Sequence, residues 1–225
     1  MNNIFKIFLN YSLLGLILLL VPFTPQAQDS ATNISGTWWR SGMGSPGANL
    51  VEIEPKVLTK LGAELMDKFD PVDDPAVSCD HPGAARVILS PYPIKIEQNT
   101  SNVIIQYEEW ATTRNIPLDA TQASQNSHKK AMGNSLAHYQ DNILIIETSQ
   151  LSKGLARVRG QFLWLSDQAV IFEEYSTNQD QRLVLKMTIN DPIMLEKPYV
   201  IQKQWGSYEG DLLGFECIDR ERPQA

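Results

Sequence analysis

Leu136 to Thr148 reads LAHYQDNILIIET, two β-rich runs on either side of Asp141-Asn142. A two-residue polar connection between such runs is the mark of a hairpin with a primed turn, although the glycine usually preferred at the second position is absent. Working outward, Ile94 to Glu97 and Val103 to Trp110 (VIIQYEEW) flank the polar stretch Gln98 to Asn102 and predict a second hairpin. Trp38 to Arg40, Asn49 to Ile53, Ala169 to Tyr175, Leu183 to Ile189, Tyr199 to Gln204 and Leu212 to Cys217 read as further strands. Regularly spaced strands with polar turns predict an antiparallel meander or barrel, not βαβ units.

A single helix is predicted. Thr59 can cap it, Leu61, Leu65, Met66 and Phe69 fall on one face, and Asp70-Pro71 stops it. That stripe reads as a lid packed on the sheet. The acidic, proline-rich run Asp70 to Pro82 lacks the spacing of a calcium loop and reads as a rigid connection pinned by Cys79.

The N-terminus supplies an address. Lys6 is followed by the apolar run Ser12 to Phe23 (SLLGLILLLVPF) and by Thr24-Pro25-Gln26-Ala27, the pattern of an export signal cut near Ala27. The competing reading is an uncleaved anchor, since Ile4 to Phe23 approaches spanning length, but Asn10, Tyr11 and Ser12 interrupt it. Cleavage predicts a periplasmic or secreted protein, residues 28–225, folded as one domain with no membrane span. Lys6 is the one charge removed, so 19 basic residues fall to 18 against 26 acidic ones, net −8. Such a chain has no electrostatic footprint for nucleic acid. Cys79 and Cys217, an even count in an oxidising compartment, predict a disulfide ahead of a metal pair or a reactive thiol. It would tie an early loop to the last strand.

Gly36-Thr37-Trp38 matches the G-x-W signature of lipocalins. Asp70-Pro71, Asp74-Pro75-Ala76, Cys79, Leu89 to Pro93 (LSPYP), Met132-Gly133-Asn134-Ser135, Asn142 to Leu144 and Asn190-Asp191-Pro192 extend the match from about Ile34 to the end. Together they resemble a set of secreted bacterial proteins of lipocalin-like fold that has no established reaction. The resemblance implies a mainly β protein in the cell envelope, an antiparallel lipocalin-like β-barrel or strongly bent sheet with one short helix. It departs at Asn134, Tyr139 and Gln140, where the family pattern has histidine after Met-Gly and then a tryptophan-glycine pair. If that histidine does chemistry, the role is lost here or has passed to His138.

Candidate chemistry is sparse. His81, His128 and His138 are the only histidines; the first two read as exposed, and His138 shares strand parity with Leu136, which predicts an inward ring. Adjacent acids in a strand point to opposite faces, so one of Glu108/Glu109 and one of Glu173/Glu174 must face inward. Tyr107 with Glu109, and Glu173 with Tyr175, share faces, and Arg114 and Arg86 are the best cations to neutralise an inward carboxylate. Glu109, Arg114, His138 and Glu173 are therefore the catalytic candidates, and no metal or cofactor is implied. Ser135 lacks the elbow and triad partners of a serine hydrolase. The aromatics Trp38, Tyr92, Tyr107, Trp110, Tyr175 and Trp205 are candidates to line a pocket. Three readings follow: binding of a small hydrophobic or aromatic molecule without transforming it; an isomerase, cyclase or lyase using a buried carboxylate; or an envelope accessory protein acting through its surface.

Overall fold

The computed structural model describes residues 33–39, 50–119, 121, 128–215 and 217. The segment expected to direct export and Arg40 lie outside these residues. Twelve strands form: β1 (Gly36–Trp39), β2 (Leu50–Glu54), β3 (Ile94–Gln98), β4 (Asn102–Tyr107), β5 (Thr112–Pro117), β6 (Asn134–Gln140), β7 (Ile143–Ser149), β8 (Gly154–Val158), β9 (Gln161–Leu165), β10 (Val170–Thr177), β11 (Leu183–Asn190) and β12 (Tyr199–Ser207). Nine of them follow one antiparallel path, β5-β4-β3-β1-β12-β11-β10-β7-β6, that curls into a nearly closed barrel, while β2 adds to the free stretch of β12. The expected antiparallel β-barrel is what the chain adopts.

Local chemistry explains the turns. Asp141 (φ 49°) and Asn142 (φ 64°) both take the left-handed conformation, which Asp and Asn tolerate, so the β6–β7 hairpin closes without glycine. In the β3–β4 connection the Asn99 side chain accepts from the N–H groups of Ser101 (2.9 Å) and Asn102 (2.8 Å). Thr59 caps helix α1 (Lys60–Asp67), accepting from the Gly62 N–H at 3.0 Å. Met66 and Phe69 lie over the separate β8–β9 hairpin, Phe69 against Phe162 and Trp164, as a lid should. Leu61 is not part of that face and stays exposed. Asp70 and Asp74 cap two short 3-10 turns through the N–H groups of Val72 and Ala76, which accounts for the Asp-Pro pattern without a cation. Asp191 likewise accepts from the N–H groups of Ser166, Ile193 and Met194, so Asn190-Asp191-Pro192 serves as a corner.

Four expectations are corrected. A second helix, α2 (Ala84–Ile88), forms besides α1. The strand predicted over Val103 to Trp110 ends at Tyr107, because Trp110 (φ 61°) turns the chain sharply into β5, a strand the sequence reading passed over. Among the described residues the last strand is β12; Leu212 to Phe215 makes no ladder, and Leu213 is 72% exposed. The Cys79–Cys217 disulfide forms and so fastens the early loop to an extended tail. That tail is held further by Leu213 N–H on the Glu108 carboxylate (2.8 Å) and by Phe215 on Trp110.

The fourth correction is His138, which is exposed. Directly opposed residues of an antiparallel pair share a face. Ala137 sits opposite Ile146 and Tyr139 opposite Leu144, and both partners are fully buried, so β6 turns Ser135, Ala137 and Tyr139 inward and His138 outward.

The core is the barrel interior, filled from β3, β4, β7, β10, β11 and β12 by residues such as Ile96, Ile105, Ile146, Ile171, Met187 and Ile201. Among the described residues no helix is long and apolar enough to cross a membrane.

Candidate functional site

All neighbours along the nine-strand path are antiparallel, so its two end strands, β5 and β6, run in the same direction. Antiparallel pairing therefore cannot close the barrel, and each end strand keeps one unpaired edge. Side chains join this seam instead of a backbone ladder.

Arg114, on β5 and 5% exposed, is the joining residue. Its Nη1 donates to Glu173 Oε2 (3.0 Å) and its Nη2 to Glu173 Oε1 (2.8 Å), the bidentate geometry that a planar guanidinium favours. Nη1 also donates to the Tyr107 hydroxyl (3.0 Å), and Nη2 to the hydroxyls of Ser135 and Thr148 (both 2.9 Å). One side chain thus links β5 to β4, β6, β7 and β10. The Tyr175 hydroxyl completes the network by donating to Glu173 Oε2 (2.8 Å).

Burial governs the proton affinities here. Desolvation pushes Tyr107 up to about 12, with the Glu173 charge adding to it and Arg114 opposing. Tyr175 is raised well above its ordinary value by the same burial and by Glu173. For Arg114, burial works to lower the pKa, but the Glu173 carboxylate and both tyrosines hold it well above the ordinary value. The network is a fixed ion pair.

Outside this network the seam opens into a cleft of about 510 Å³, a volume suited to a small organic molecule. Ile116, Pro117, Met132 and Leu136 supply apolar surface, with Arg114 and Ser135 among the polar lining residues. Gly133 is required beside it: at φ 62° a Cβ would lie 2.5 Å from the Ser149 carbonyl oxygen.

A second polar cluster surrounds Glu109, which is buried despite lying in a turn instead of the strand expected for it. Its Oε1 is 3.9 Å from Arg86 Nε, and Arg86 Nη1 is 3.3 Å from Asp74 Oδ2. Burial pushes the Glu109 carboxyl up, while Ser90 and Arg86 pull the other way. Nearby Lys203 is buried, donates to the carbonyls of Ser90 and Ile88, and sits 4.2 Å from the Trp205 ring centroid. Desolvation pushes its pKa down to about 7, with Glu109 opposing.

The sequence candidates thus separate. Arg114, Glu173, Tyr107 and Tyr175 come together; Glu109 belongs to the other cluster; His138 is exposed and apart from both. His81 is half-buried instead of exposed, its Nδ1 accepting from the Gly83 N–H and its Nε2 3.3 Å from the Thr112 hydroxyl; burial lowers its pKa. His128 is exposed. Trp38 is buried, its indole N–H donating to the Ile34 carbonyl (2.9 Å), and Trp205 is buried in the core. Tyr92 is 42% exposed, and Trp110 packs between His81 and Phe215. None of the six aromatics is among the cleft's lining residues. Sequence reasoning missed Thr148 and Lys203. Thr148 shares a face with Leu144 and Ile146 at the polar end of ILIIET, a signal that was there to be read; nothing local marks Lys203.

Compared with models of known protein families and with curated protein sequences, the chain matches none of them.

Proposed function

We propose that this is an exported, lipocalin-like binding protein that takes a small, largely apolar or aromatic molecule into the cleft between β5 and β6 and releases it unchanged. The observation that carries this reading is the cleft of about 510 Å³ at the one seam the strand pairing leaves unclosed. Its lining combines the apolar side chains of Ile116, Pro117, Met132 and Leu136 with a larger set of polar ones, Lys130 and Glu147 among them.

Binding is favoured over catalysis because both oxygens of Glu173 are engaged by Arg114 and Tyr175. A general base must reach its substrate, and this carboxylate is fully buried behind Arg114 and is not among the residues lining the cleft. Export is supported by the Cys79–Cys217 disulfide, since such bonds persist in oxidising compartments. The cleft's apolar surface comes from Ile116, Pro117, Met132 and Leu136 and not from the aromatics anticipated from the sequence, and Met132 adapts its shape readily to an apolar body.

The test is titration of the mature protein with an environment-sensitive apolar fluorophore such as anilinonaphthalene sulfonate. One saturable site is expected, abolished by Leu136→Arg, a partly exposed position at which the new side chain fills the cleft. No saturation, or saturation that survives the filled cleft, overturns the proposal.

A further inference from the structure

A guanidinium carries five N–H groups. Four are used by Arg114: two end-on to Glu173, one to Tyr107, and one shared between Ser135 and Thr148. The fifth, on Nε, is buried and has no hydrogen-bond partner. Its direction follows from planar geometry. Nη1 lies cis to Cδ, so the Nε–H runs parallel to the outer N–H of Nη2, along the same edge of the group. That Nη2 hydrogen points to Ser135 on β6, and so the Nε–H faces the seam. Arg114 and Ser135 both line the cleft there.

Ser135 holds a second spare donor. The two hydroxyls, Ser135 and Thr148, each accept from Arg114 and are 2.9 Å from one another. One hydroxyl hydrogen fills that mutual bond, and the other is left over. Thr148 is fully buried and Ser135 only partly, so the arrangement that exposes the spare hydrogen has Thr148 donating and Ser135 pointing into the cleft. Two donors then converge with no acceptor between them. Buried donors of this kind are rare and call for a partner. The cradle carries no net charge, because Glu173 neutralises Arg114.

We propose that the cleft selects its ligand by an acceptor oxygen, carbonyl or carboxylate, seated between Arg114 Nε and the Ser135 hydroxyl, with the apolar body lying along Ile116, Met132 and Leu136. At this point an amine brings donors to donors and is disfavoured, although Glu147 elsewhere in the lining could accept from one. This assignment rests on the binding role proposed above and names the chemistry of the same site.

The experiment compares three probes with one body, 4-phenylbutanoate, 4-phenylbutanamide and 4-phenylbutylamine, by calorimetric titration of the disulfide-intact mature protein. Both oxygen-bearing probes are expected to bind, with the amine about tenfold weaker or worse, as the loss of one buried hydrogen bond predicts. Arg114→Lys keeps a cation opposite Glu173 but removes the edge-on donor, and should erase that preference. Ser135→Ala, a milder change suited to the case in which Arg114→Lys does not fold, should halve the preference or more. Equal binding of the amine, or a preference untouched in the variants that fold, refutes the oxygen cradle while leaving the binding role standing. Failure of all three probes to bind, together with failure of the fluorophore, removes the binding role and this inference with it.

Discussion

Replacing Arg114 by methionine is expected to cost a large fraction of a small domain's stability, because it leaves Glu173 as a buried charge without its cation. Glu173 is fully buried and receives two hydrogen bonds from Arg114 and one from Tyr175. Methionine fills much of the same volume but leaves the carboxylate with the tyrosine alone. Breaking a buried ion pair by removing one partner costs about 3–5 kcal/mol, because an uncompensated charge stays in the interior. Against a total stability of about 5–15 kcal/mol this is severe. The loss falls also on the seam, since Arg114 is the side chain that ties β5 to β6, β7 and β10. The double variant Arg114→Met with Glu173→Gln removes the orphan charge and should recover at least half of the cost. Urea unfolding of parent, both single variants and the double variant, with the disulfide intact, measures this as shifts in midpoint at constant slope. A single-variant cost below about 1 kcal/mol, or a double variant no more stable than Arg114→Met, would refute the account of the seam as latched by a buried ion pair.

Two further outcomes are expected. Lys203, ordinarily near 10.5 and held at about 7 by burial, binds its proton more weakly folded than unfolded. The unfolded chain therefore carries the extra proton between these values, and stability rises as pH climbs from about 7 toward 10.5. Lys203→Met should flatten that slope and stabilise the protein most at pH 6; a slope unchanged in the variant contradicts this. Removing the disulfide by Cys79→Ser with Cys217→Ser frees a connection spanning 138 residues. Chain entropy sets an upper bound of roughly 5 kcal/mol, and because Cys217 lies in an exposed tail beyond the last strand, a loss of about 2–3 kcal/mol in urea is expected; no loss would mean the bond constrains nothing.

Much of the barrel was legible locally. β-rich composition between polar turns marked β4, β7, β10 and β11, and Asp141-Asn142 marked a turn whose left-handed residues need no long-range help. The pairing of Glu173 with Tyr175 on one face followed from period two alone, and Arg114 was named as the cation for an inward acid because a buried carboxylate demands one. Thr59 showed as a cap because a cap acts within three residues of itself, whereas Asp70 and Asp74, read only as parts of a rigid loop, turn out to cap two 3-10 turns.

Other features were beyond local reading. β7 is apolar on both faces, so its sequence did not say which face is inside; only the register with β6 turned Ala137 inward and His138 out. Glu109 was assigned an inward strand position and reached the interior through a turn, because Trp110 breaks the strand. Leu212 to Phe215 has strand composition but no neighbour to pair with, and composition does not supply a neighbour.

The sequence by itself determined the β class, the turns, the Thr59 cap and the pair of cysteines, because hydrogen bonds within a few residues and side-chain parity are local physics. The tertiary structure alone decided that the path has nine strands, that β5 and β6 therefore meet in parallel and are left without a ladder between them, and that Arg114 reaches Glu173, 59 residues away in the chain. Those facts follow from strand order and register, which are properties of the whole closed sheet and of no segment within it.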